Sequence, residues 1–356
     1  MTSKYYQQEL ESLRDTAMEF AAAYPTIAPQ LGGPRPDPDV ERILEGVAFL
    51  TGQIRSTLDE GFPEFAQGIL NQIFPHYLRS VPSATIVKFN PKPILKGRLK
   101  VPKGTYVDSV PVDGVTCRFR SSFDIEVFPL ALESADEEDA PGGRKVINLD
   151  FEMQGMDLDA LKTDRLRFFI GGDYSGASDL LFLLMRHLEK IEIRSDGAER
   201  VHTMSPEALQ PVGFERADSI LEYPSNSFPA YRLLQEYFMM KEKFLFFEVT
   251  GLDRWTDRGS AKHFTMSFTL KDIPIAMPRI NLERFLLYAT PAVNLFEADA
   301  EPVALDNRKN ELRIRPARDH GGKVQVYSVD KVTGRARGVS KRTEYVRLNV
   351  SYSNGG

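Results

Sequence analysis

Residues 75–89 read Pro75-His76-Tyr77-Leu78-Arg79-Ser80-Val81-Pro82-Ser83-Ala84-Thr85-Ile86-Val87-Lys88-Phe89, and the texture of the chain changes within them. Each proline lacks the amide donor that a helix interior needs and clashes with the preceding turn. A helix arriving from upstream therefore ends here. Beyond Pro82 the run from Ala84 to Phe89 is rich in β-branched residues, which suit a pleated, half-buried surface. The chain is expected to be helical before this point and β-rich after it.

Upstream, the apolar spacing is helical. Tyr6, Leu10, Leu13, Ala17, Phe20 and Tyr24 step by four and three residues, a heptad seam. Pro25 ends that helix, and Pro29, Gly32, Gly33, Pro34 and Pro36 predict a stiff linker. Asp37-Pro38 is a cap residue followed by proline at the first helical position, a good helix start. Val40, Ile43, Val47, Leu50, Ile54 and Leu58 line one face of this second helix, and a third is expected from near Pro63.

Downstream, residues 104–110, 115–119, 123–132, 145–153 and 165–170 read as strands separated by Pro, Gly and Asp. Residues 133–139 hold five acids and lead into Pro141-Gly142-Gly143, so residues 133–143 are expected to form a mobile surface loop. A helix is expected over 179–191, with Leu180, Leu183, Leu184, His187, Leu188 and Ile191 on one side. Another is expected over 231–240, where Tyr231, Leu234 and Phe238 share the face read as its packing side. Residues 244–249 and 263–270 read as strands that pair with each other, and β structure resumes beyond Leu295. The expectation is an α+β fold: a helical region 1–82, a β-rich domain 83–229 with an inserted helix at 179–191, and a second, incomplete β-rich domain 230–356.

Composition excludes little but bounds much. The 356 residues are 42% hydrophobic and 27% charged, ordinary for a globular chain. One cysteine, Cys117, cannot form an intrachain disulfide and reads as a packed thiol. The first residues lack the apolar core of a signal peptide, and no apolar run approaches membrane-spanning length, so a cytoplasmic protein without direct membrane insertion is expected. The formal charge is −5. Residues 308–347 carry 12 Lys/Arg against 4 Asp/Glu, spread singly and without a nucleic-acid motif, so no nucleic-acid partner is expected. His76, His187, His202, His263 and His320 lie in no metal-ligand spacing, and neither a nucleophile elbow nor a phosphate loop is present. No catalytic, cofactor-binding or metal residue is therefore nominated, and the expectation is a non-enzyme.

Several blocks, in order along the whole chain, resemble the TssF family of the type VI secretion system. They are Tyr5-Tyr6-Gln7-Gln8-Glu9-Leu10 with Tyr24-Pro25; Asp37-Pro38-Asp39-Val40-Glu41-Arg42; Phe62-Pro63-Glu64-Phe65; and Pro75-His76-Tyr77-Leu78-Arg79. Further on come Cys117-Arg118-Phe119-Arg120, Asp164-Arg165-Leu166-Arg167-Phe168 and Val212-Gly213-Phe214. The most specific runs Tyr231-Arg232-Leu233-Leu234-Gln235-Glu236-Tyr237-Phe238 and on through Glu242-Lys243-Phe244-Leu245-Phe246-Phe247. Met239-Met240-Lys241 departs from the Phe-Pro pair common in the family. The match covers roughly the first three-fifths of a member.

The resemblance implies a structural subunit of a baseplate wedge, similar to one in contractile phage tails. It implies the partners TssG, TssK and TssE, a second TssF copy, the VgrG spike, and a place on the cytoplasmic side of the inner membrane where sheath assembly starts. No catalytic residue is carried over, and no cofactor is implied. Glu242 and Lys243 are read as a solvated or ion-paired turn. Tyr6, Leu10, Leu13, Ala17, Phe20 and Tyr24 are nominated as the partner-binding seam, with packing onto Val47, Leu50 and Ile54 of the same chain as the other fate of that seam. A free-standing β-sandwich binding module is the alternative function, and the heptad seam argues against it.

Overall fold

A computed structural model describes residues 2–26, 28–31, 37–198, 200–224, 227–305, 312–317, 323–335 and 342–345. The chain divides into two compact units, residues 1–79 with 331–356, and residues 80–330.

In the first unit, helix α1 (Thr2–Ala23) lies antiparallel to α3 (Pro38–Ile73), with short helices α2 (Ala28–Leu31) and α4 (Pro75–Leu78) following each. Asp37 caps α3 as expected, its carboxylate accepting from the Asp39 amide at 2.9 Å, and Pro38 takes the first turn. The expected third helix is not separate, because Pro63 sits inside α3. A proline removes one amide donor from the ladder, and the remaining rungs carry the helix through to Ile73. Of the expected linker, residues 28–31 are helical and residues 32–36 lie outside the described residues.

The contact between α1 and α3 is made by small residues. Ala17, Ala21 and Ala48 are buried, and a Cβ added to Gly52 would lie 3.0 Å from the Tyr6 amide nitrogen. The backbones therefore approach closely, and the ion pairs Arg14–Glu41 and Arg55–Glu9, both 2.7 Å, flank the contact. At Gly52 no larger side chain fits between the two backbones. Val47, Leu50 and Ile54 face away from this contact and stay 40–60% exposed, so α1 does not pack on them. The strands β16 (Val332–Gly334) and β17 (Thr343–Tyr345) of this unit pair as a small ribbon. Much of the expected β structure beyond Leu295 lies outside the described residues.

The second unit is built on a pair of stacked antiparallel sheets. One orders β10 (His202–Met204), β9 (Leu188–Ser195), β13 (His263–Leu270), β7 (Arg144–Met153) and β6 (Leu130–Ala140). The other orders β11 (Leu209–Val212), β12 (Phe246–Thr250), β8 (Arg165–Ile170) and β14 (Phe285–Leu287). Alternation decides the inner face: Ile147, Leu149, Phe151 and Met153 of β7, and Phe264, Met266, Phe268 and Leu270 of β13, are all buried. Rings interlock between the sheets, Phe247 edge-on to Phe268 at 6.4 Å and Phe151 edge-on to Phe168 at 6.2 Å. Helix α5 (Tyr174–His187) caps this core through Leu180, Leu183 and Leu184. It begins earlier than the expected 179 because Asp173 accepts from the Gly176 amide, and it ends at His187, where β9 begins.

A further sheet orders β1 (Ala84–Lys88), β15 (Ala289–Val293), β4 (Arg118–Ser121) and β3 (Tyr106–Asp108), and β2 (Leu99–Val101) pairs with β5 (Ile125–Val127). Tyr288, between β14 and β15, holds φ 59° and donates its hydroxyl to the Leu130 carbonyl at 3.0 Å.

Three expectations change here. The division at 229/230 does not separate the strands: β12 pairs with β8 and β11, β13 with β7 and β9, and β15 with β1 and β4. For the same reason β12 and β13 are not hairpin partners but face each other across the core. The acidic run is not a loop. Residues 133–140 extend β6 along β7, with the turn at Pro141-Gly142-Gly143. Its acids find partners from β7: Lys145 reaches Glu137 at 3.4 Å and Asp139 at 3.1 Å, and Asn148 donates to Asp136 at 3.5 Å. β6 is an edge strand, and charges together with the irregular register at Leu132/Ser134 blunt an edge against pairing with other chains. Replacing Asp136, Glu137, Glu138 and Asp139 with threonine should therefore produce concentration-dependent self-association in light scattering. Replacing them with lysine should not, and equal behaviour of the two variants would refute the role given to charge.

Candidate assembly surfaces

The nominated seam splits along α1. Tyr6, Leu10 and Leu13 are half-buried and Ala17 is buried. Phe20 and Tyr24 are about half exposed, their rings in contact at 4.6 Å. The larger open surface is on α3, on the face that the sequence lined with apolar residues. Ile43, Val47, Leu50, Ile54 and Leu58 form a continuous stripe, each at least 40% exposed, and Phe65, Ile69, Leu70 and Ile73 continue exposed toward the end of the helix. Contiguous apolar surface of this kind marks sites of protein interaction, and its near-heptad spacing suits a helix as partner.

A different arrangement surrounds helix α6 (Pro229–Met239). Here the charged residues face inward: Arg232 and Glu236 are buried, and so is Lys243 in the 3-10 turn that follows. Lys243 is thus ion-paired, as one of the readings of that turn had it, but closed off from solvent. Glu236 accepts from Lys243 Nζ on Oε2 and from the Ile220 amide on Oε1 at 2.9 Å, and forms an ion pair with Arg232 at 3.6 Å. Arg232 donates to the carbonyls of Phe214 at 2.7 Å and Glu215 at 3.1 Å and to Ser219 Oγ at 3.3 Å. Lys103 closes the same loop from outside, donating to the carbonyls of Ala217 and Ser219 at 2.7 and 2.9 Å. Gly213 is required at the entrance. Its φ is 102°, and a Cβ would stand 2.8 Å from the Lys243 carbonyl oxygen.

Burial pushes the Lys243 ammonium below its ordinary range, opposed by the Glu236 carboxylate, and burial does the same to Lys103. Every charge in the cluster is spent on a neighbour, so the arrangement acts as a clamp. It ties the loop of residues 213–221 to α6, and Ile220, Leu221 and Met240 then pack with Val293 of β15. The sequence blocks around Gly213, Tyr231 and Lys243 meet in this one cluster, joined there by Lys103 from far upstream. The sequence offered one signal for it, the i, i+4 spacing of Arg232 and Glu236.

Outside the clamp, the expected packing face of α6 is turned to solvent: Leu234 is 55% and Phe238 80% exposed. Among the described residues no group of three or more His, Cys, Asp or Glu side chains could hold a metal, and no helix is long and apolar enough to cross a membrane.

Residues 1–354 match the family model described as Type VI secretion system, TssF. The type VI secretion system component TssF1 of Pseudomonas aeruginosa is 30% identical over 358 residues, covering 94% of this chain and 58% of that protein. The fold is similar to a chain of the type VI secretion system TssK-TssF-TssG baseplate subcomplex determined by cryo-electron microscopy. The TM-score is 0.73 at 29% identity, over 86% of this chain and 58% of that one. The chain thus spans 58% of the length of the relatives it matches.

Proposed function

The chain belongs to the TssF family of the type VI secretion system, and from that premise we propose that it is a structural subunit of the baseplate wedge and not an enzyme. In this reading it assembles with TssG and TssK, and further with TssE and a second TssF copy around the VgrG spike, where sheath growth starts. It would act on the cytoplasmic side of the inner membrane. The observation that carries the reading is the likeness in fold to a chain of the TssK-TssF-TssG subcomplex. The open stripe on α3 and the exposed end of the α1 seam at Phe20 and Tyr24 supply surfaces for such contacts, and the nominated seam is kept as part of the assembly element.

Co-expression of this chain, tagged, with TssG and TssK from the same genome tests it. The three should co-purify at fixed stoichiometry through gel filtration in salt high enough to screen surface charge. Elution of the tagged chain alone would refute the reading.

A further inference from the structure

Helix α6 is amphipathic with its sides exchanged. Its inner side holds Arg232 and Glu236 over Lys243, and its outer side holds Leu234, Tyr237 and Phe238. An isolated domain would reverse this, since apolar surface gains by leaving water and charges lose by it. The apolar face is also larger than the helix. Tyr237 touches Phe238 and Phe244 at 5.8 and 6.1 Å, and Phe244 touches Phe214 at 5.1 Å, so the rings form one continuous surface. Phe214 and Tyr237 are 45% and 44% exposed. Aromatic side chains offer roughly 150–250 Å² each, so several hundred Å² lie open. That is the size of the largest patch on a typical monomer, which is often functional.

We propose that this face docks a subunit of the same baseplate other than a second copy of this chain, one whose contact surface is uncharged and carries aliphatic or aromatic side chains. Charge complementarity selects that occupant. Leu234, Tyr237, Phe238 and Phe214 bring no charged group to the face, and Arg232, Glu236 and Lys243 are buried beneath it. Lys241, at its border, is engaged over the Tyr174 ring at 4.1 Å. Nucleic acid and anionic lipid need a cluster of open cations, and the ring and aliphatic side chains at the centre of the face carry none. The open area is less than the ~800 Å² per partner of a standard interface, so the patch forms the apolar centre of a contact whose polar rim includes Glu215, Arg216 and Glu242. The clamp beneath has a role in this: it holds α6 with its aromatic side outward.

The inference rests on the proposed baseplate role, and the test separates the two. The tagged chain and its Leu234→Ser/Phe238→Ser variant are each co-expressed with TssG and TssK. Both side chains are mostly exposed, so the variant should keep the urea midpoint of the unaltered chain, and recovery of partner should fall at least tenfold. Phe238→Leu, which keeps an apolar side chain, should retain capture. Equal capture by the serine variant would overturn the docking face while leaving the baseplate role standing. Capture of neither partner by the unaltered chain would overturn both. Unchanged capture with a dimer-to-monomer shift in light scattering would overturn the proposal in favour of a second copy of this chain.

Discussion

Glu236→Gln should lower the unfolding free energy by about 3–5 kcal/mol, because removing one partner of a buried ion pair leaves the other charge uncompensated. Here the abandoned charge is Lys243, fully enclosed, with Arg232 beside it also losing its carboxylate. For a unit of this size each kcal/mol moves the melting temperature by roughly 2–4 °C, so a fall on the order of 10 °C is expected. Urea unfolding followed by circular dichroism should show a lower midpoint with an unchanged slope. Glu236→Leu combined with Lys243→Met should recover only part of the loss, since it removes the abandoned ammonium but leaves Arg232 without its carboxylate and the Ile220 amide without its acceptor. A loss below 1 kcal/mol for Glu236→Gln would mean that Lys243 reaches water, and the clamp as described would be wrong.

Leu50→Asp with Ile54→Asp should abolish capture of TssG while leaving the fold intact. Both residues are 60% exposed, and substitutions at such positions usually change stability by less than about 0.5 kcal/mol. Each side chain, once covered by a partner helix, contributes roughly 1.5–3 kcal/mol, so losing two weakens binding by at least about a hundredfold before the added carboxylates are counted. The matching change on α1, Leu10→Asp with Leu13→Asp, affects half-buried positions and should also reduce helicity. The two pairs together separate assembly from hairpin integrity. Normal TssG recovery by the Leu50/Ile54 variant would exclude the α3 stripe from that interface.

Much of the local structure was legible because local chemistry decides it. Asp37-Pro38 starts a helix wherever it stands, and the alternation in 263–270 and the apolar run in 165–170 mark their strands residue for residue. What the sequence could not settle was what each face meets. The stripe from Val40 to Leu58 looks the same whether it covers a core or awaits a partner, and only the close approach of Gly52 to Tyr6 reveals that α1 packs beside it. The acids of 133–139 oppose a central strand but suit an edge, and edge position is set by sheet order, which depends on distant residues. The clamp was hidden for a related reason. Arg232 and Glu236 look solvated until Lys243 and the carbonyls of residues 214–219 are brought to them, and α6 therefore appeared to face the other way. Which of Tyr6, Leu10, Leu13, Ala17, Phe20 and Tyr24 would face outward also depended on how tightly α1 meets α3.

The pairing of β1 with β15 sets an order in time. Ala84 bonds opposite Val293 and Lys88 opposite Ala289, so the strand made first in the second unit waits for one made near its end. At roughly 5–20 residues per second, a ribosome takes on the order of ten to forty seconds to supply it. Through that interval Ile86 and Val87 have no neighbouring strand. Helices α1 and α3, by contrast, need only each other, and their hairpin is complete as soon as Ile73 has emerged. The nascent chain thus displays a finished helical hairpin while its sheets are still open, and contacts this distant in sequence make closure of the sheets the slow step of folding.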